Sequence, residues 1–133
     1  MIKIVKRNIL TLITAAVILY LSFAKAETFN KVDVLGLRHL DKAVHICMYF
    51  GLMIALLYEN KSAVKFTRSI FILAIIPFTY GTLIEFLQSW LSVTRKGDFF
   101  DVIFNLIGIF LALIAWKLYQ IFTKKKNQGH VIE

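Results

Sequence analysis

Apolar residues gather along this chain in four runs, over residues 9–23, 43–58, 69–91 and 99–121, with short polar stretches between them. Each run approaches the roughly 20 residues that cross a hydrocarbon core of about 30 Å, the first two being short. In such a core a lone segment satisfies its backbone groups only as a helix. The pattern predicts an all-α, polytopic membrane protein with four transmembrane helices, forming a single domain over residues 1–133. Pro77 lies inside the third run and leaves the carbonyl of Leu73 without its helical donor, a kink that a bundle tolerates. Trp90 and Trp116 stand near run ends, where interface aromatics collect.

Composition supports the membrane reading. Hydrophobic residues make up 59% of the chain and mean hydropathy is +0.71, outside the range of ordinary soluble domains. The single cysteine, Cys47, excludes an intramolecular disulfide and a thiolate metal site, and is expected to be a buried apolar filler.

The net charge of +8 is informative through its distribution. With the N-terminus inside, the inner segments hold Lys3, Lys6, Arg7, Lys61, Lys65, Arg68, Lys117 and Lys124 to Lys126, opposed only by Glu59 and Glu133. The outer segments balance Lys25, Lys31, Arg38, Lys42, Arg95 and Lys96 against Glu27, Asp33, Asp41, Glu85, Asp98 and Asp101. The entire net charge falls on one side, the positive-inside signature, with both termini cytoplasmic. The basic tail then reads as a topology and anionic-lipid signal, so no nucleic-acid partner is expected. A second reading treats Lys3–Arg7, the first run and Ala24-Lys25-Ala26 as a secretory signal with a small-x-small cleavage site. Cleavage would leave three helices and move no candidate functional residue.

Polar residues inside the runs are few and ordered. Asp41, His45 and Tyr49 recur every four residues along one helical face. Glu85 and Gln88 share a face near the outer end of the third run, and Asp98, Asp101, Asn105 and Gly108 form a stripe descending into the fourth. Facing lipid, ionisable groups cost about 2.5–3.5 kcal/mol each at mid-membrane and less near its surface. They are therefore expected to face one another in an outward-open polar pocket, with Gly51 and Gly108 letting helices approach closely beneath it. Read singly, Tyr49 suits plain packing, His45 a hydrogen-bonded structural histidine, Gln88 and Asn105 interhelical ties, and Lys42, Lys96 and Asp98 charges reaching water.

Taken in order, Asp41-Lys42-x-x-His45-x-x-x-Tyr49, Glu85-x-x-Gln88 and Arg95-x-x-Asp98-x-x-Asp101-x-x-x-Asn105-x-x-Gly108 resemble the VanZ-like family, over about half the chain. The resemblance implies a bacterial cytoplasmic (inner) membrane protein acting at the cell envelope, with a role in low-level resistance to glycopeptide antibiotics of the teicoplanin type. It does not imply a particular reaction.

Three mechanisms follow. In the first, a membrane enzyme acts on an envelope lipid or lipid-linked cell-wall precursor from the outer face. His45, oriented by Asp41 or Asp101, is the general base, Glu85 an acid, and Arg95 and Lys42 hold a phosphate. No cofactor is needed, although a variant places a divalent cation among Asp41, His45, Glu85, Asp98 and Asp101. In the second, the same pocket recognises a lipid headgroup or docks a partner without turnover, Arg95 and Lys42 taking anions while Gln88 and Asn105 donate hydrogen bonds. In the third, a small drug exporter, a carboxylate near the midplane is wanted, and these acids keep to one end. The third is set aside, and whether the protein is an enzyme stays open.

Overall fold

The apolar runs wind into four helices, α1 (Ile9–Phe23), α2 (Leu40–Glu59), α3 (Thr67–Leu91) and α4 (Phe99–Gly129), in a computed structural model that describes residues 6–23, 40–62, 64, 67–91 and 99–129. Among the described residues there is no strand. Asp41 and Asp101 occupy the first turns of α2 and α4, where a carboxylate favours the positive end of the helix. α2 therefore opens before the apolar run that predicted it. α4 continues past residue 121 through Lys-rich sequence, because lysine and glutamine propagate a helix well in water. α3 passes through Pro77 without a break in its assignment.

α2, α3 and α4 are each long and apolar enough to cross a membrane. α1 has 15 residues, a rise of about 22 Å, and is shorter than the other three. Tyr80 donates to the carbonyl of Ala15 and Gln88 to that of Ser22, so α1 and α3 run side by side in the same direction. Lys42 lies over Phe100 and Phe104, and His45 meets Asn105, so α2 and α4 also run parallel, opposite to the first pair. α2 and α4 share the most extensive helix contact in the bundle.

Small residues allow that contact. A Cβ on Gly108 would strike the carbonyl oxygen of Ile46 and lie 3.0 Å from the nitrogen of Phe50. Ala112, one turn further along α4, is fully buried, completing a small-residue seam of the kind that brings membrane helices together. Beneath the polar end, Leu52, Met53 and Leu57 of α2 pack with Ile84 of α3 and Ile109 of α4. The outward faces carry exposed Phe71, Ile75, Phe86 and Phe110, an apolar perimeter suited to acyl chains.

Three expectations are corrected. A Cβ on Gly51 meets nothing within 4 Å, so this glycine serves no close approach. Cys47 is exposed, because it lies two residues from both His45 and Tyr49 and a helix turns it to the opposite face. Trp116 is buried in the core against Tyr119, with ring centroids 5.5 Å apart, whereas Trp90 is exposed as an interface aromatic would be.

The far end of the bundle is held by Glu59. Its carboxylate accepts from the backbone nitrogens of Leu10 and Thr11 at 2.6 and 3.0 Å, and from the Thr11 hydroxyl at 2.6 Å. These are first-turn amides that α1 cannot satisfy itself, so the last residue of α2 caps the neighbouring helix. Asn60 reinforces the joint through Asn8 Oδ1 at 2.8 Å and the Leu56 carbonyl at 3.0 Å.

Candidate functional site

The parallel course of α2 and α4 brings the Asp41-His45-Tyr49 stripe to the same depth as Asp101 and Asn105. α3 runs the other way and delivers Glu85 from its last turns. His45 sits at the centre. Its Nδ1 is 2.9 Å from Asn105 Oδ1 and 3.9 Å from Glu85 Oε1, and its Nε2 is 3.7 Å from Asp101 Oδ2. His45, Glu85, Asp101 and Asn105 are all buried, Asn105 to 1% exposure. Asp41 lies at the exposed mouth, where one ligand atom from each of Asp41, His45 and Asp101 falls within 4.8 Å of the others.

The amide oxygen of Asn105 can only accept, so Nδ1 is the donor in that contact, and Nε2 faces Asp101 from the other edge of the ring. Tyr49 lies one turn below His45 and is buried. Its ring lies against Gly81, where a Cβ would be 2.8 Å from Cε1 and 2.9 Å from the hydroxyl. Gly81 precedes Glu85 by one turn, so the Tyr49 hydroxyl ends on the α3 face that carries Glu85. Only a residue without a side chain leaves that space.

Two predicted binding residues point elsewhere. Gln88 is buried, but its Nε2 donates to the Ser22 carbonyl at 2.6 Å and ties α3 to the end of α1. The Lys42 ammonium stands 5.6 and 5.3 Å from the ring centroids of Phe100 and Phe104, beside the pocket. Arg95 and Asp98 lie outside the described residues.

Sequence reasoning missed Gly81, whose signal was its position one turn before Glu85, and Ser22, which acts through its backbone and leaves no signal. Chemically, an imidazole between buried carboxylates takes and returns protons, or holds a cation through Nε2.

No curated protein and no solved structure matches the chain. The family model described as VanZ/LLP1 matches residues 2–122, which includes all four helices except the polar end of α4. With the His45, Glu85 and Asp101 geometry standing inside that span, the chain belongs to the VanZ/LLP1 family.

Proposed function

We propose that this VanZ-family membrane protein acts at the bacterial cell envelope, on a lipid headgroup or lipid-linked cell-wall precursor entering the His45 pocket from the outer face of the cytoplasmic membrane. Low-level resistance to teicoplanin-type glycopeptides is the outward effect of that change. The observation that carries the reading is the convergence of His45, Glu85, Asp101 and Asn105, from three helices, in one buried cluster. Groups so costly to bury in a membrane bundle are kept where they do chemistry or hold a ligand. The balance of charge between the two sides supports an outer location for that end. Membrane lipids meet the pocket at its mouth, beside Asp41 and Lys42.

The test is teicoplanin susceptibility of a sensitive Gram-positive host expressing wild type, His45→Ala or Asp101→Asn at matched membrane levels, followed by mass spectrometry of envelope lipids. Resistance and an altered lipid with wild type alone support the reading. Equal protection by the variants refutes the role of the pocket, and no effect from wild type refutes the resistance role.

A further inference from the structure

We infer that Asp41, His45 and Asp101 bind a divalent first-row transition metal ion at the mouth of the pocket. The inference deepens the proposed function only in naming what meets the headgroup; the ion site itself stands on the following geometry. Ligand atoms from the three residues lie within 4.8 Å of one another, so a side-chain shift of under about 1 Å brings all three to one ion at about 2.1 Å. Nε2 of His45 and the Asp101 oxygen face each other at 3.7 Å, too far apart for a hydrogen bond. Two ligands at about 2.1 Å from a common ion, opened by roughly 120°, are separated by that distance. Asn105 Oδ1 accepts from Nδ1–H and so orients the ring with Nε2 toward the place of the ion, the hydrogen bond that metal-bound histidines make through their other nitrogen.

A second observation points to a ligand at this place. The Nδ2 of Asn105 is fully buried beside the cluster and has no hydrogen-bond partner among the described residues. A buried amide donor left in this way costs about 1–3 kcal/mol, which an oxygen ligand of a bound ion would recover. Asp41 is exposed, so the ion keeps a side open toward the membrane surface. Three protein ligands and an open position are the arrangement of a catalytic metal site. One imidazole and two carboxylates favour zinc or manganese over magnesium or calcium. At the open position such an ion would take a phosphate or pyrophosphate oxygen of a lipid headgroup and withdraw charge from it.

The test uses full-length protein purified in detergent without a polyhistidine tag, stripped by chelator, then titrated with Zn2+ against a competing indicator, with bound metal counted by mass spectrometry. Wild type is expected to hold one ion per chain. His45→Gln and Asp101→Asn each weaken binding at least tenfold, and Asn105→Ala, which removes the hydrogen bond that orients His45, weakens it about 10–100-fold. Tyr80→Phe leaves binding unchanged. Each variant is first required to match wild type in helix content and monodispersity. A Co2+ adduct with visible absorption, lost in His45→Gln, confirms nitrogen ligation.

Absence of stoichiometric Zn2+ and Mn2+ from wild type overturns the inference, as does binding that survives both His45→Gln and Asp101→Asn. Zinc bound by a wild type that leaves the envelope unaltered keeps the site and removes the proposed function. Resistance in a protein that binds no ion does the reverse.

Discussion

Replacing Gly108 by alanine adds one methyl group where α4 presses on α2. The atoms it meets are backbone, the Ile46 carbonyl oxygen and the Phe50 nitrogen, so no side-chain rotation relieves the clash and the helices themselves must separate. Overpacking of this kind costs about 1–3 kcal/mol. Against it stands the better helix propensity of alanine, about 0.8–1.0 kcal/mol. The net expectation is destabilisation of about 0–2 kcal/mol. Gly51 supplies the internal control: it lies in α2, and a methyl there meets nothing within 4 Å. Gly51→Ala should therefore gain up to about 1 kcal/mol from propensity alone. The two variants share the propensity gain, so they should differ by the overpacking cost alone, about 1–3 kcal/mol. The assay is reversible unfolding in mixed detergent micelles, followed through the fluorescence of Trp116, which is buried in the folded bundle. A Gly108→Ala protein as stable as Gly51→Ala would refute the close seam.

The ties around α1 give further expectations, readable in the same unfolding assay. Glu59→Gln removes the charge from a cap that accepts three hydrogen bonds, and because the group is partly open to solvent the loss should be about 1 kcal/mol. A change within error would show that water caps α1 equally well. Tyr80→Phe deletes one hydrogen bond to Ala15 at constant shape and should cost about 1 kcal/mol. Gln88→Ala should cost about 1–3 kcal/mol, since it leaves the carbonyl of the buried residue Ser22 without that donor. No loss in either variant would mean that α3 holds α1 by apolar packing alone.

The helices and most of the cluster were legible because both rest on periodicity. Runs of apolar residues mark the helices, and spacings of three and four placed His45, Asp101 and Asn105 on facing stripes. The direction of a stripe does not say which neighbour it meets, and that is where the reading of Gln88 stopped: it shares a face with Glu85 but reaches the backbone of α1. Lys42 stands one residue from Asp41, a third of a turn away, and the rings of Phe100 and Phe104 hold it there. Gly51 and Gly108 look alike in sequence, and only the position of α2 against α4 separates them. Glu59 looked like a stray acid among basic residues because the amides it caps belong to a distant segment and carry no sequence signal.

The polar groups of the bundle divide by the lengths of their contacts. Glu59, Asn60, Tyr80 and Gln88 make hydrogen bonds of 2.6–3.0 Å, nearly all of them with partners fixed by helix geometry. Around His45 only the bond to Asn105 is of that kind; the approaches to Glu85 and Asp101, at 3.9 and 3.7 Å, are longer than hydrogen bonds. A cluster evolved solely to join helices would close those distances, because a buried pair gains stability only when its geometry is good. Here Asn105 orients the imidazole so that Nε2 faces the Asp101 carboxylate at 3.7 Å. With Asp41 exposed beside His45 and Asp101, the arrangement is one that an incoming cation can bridge.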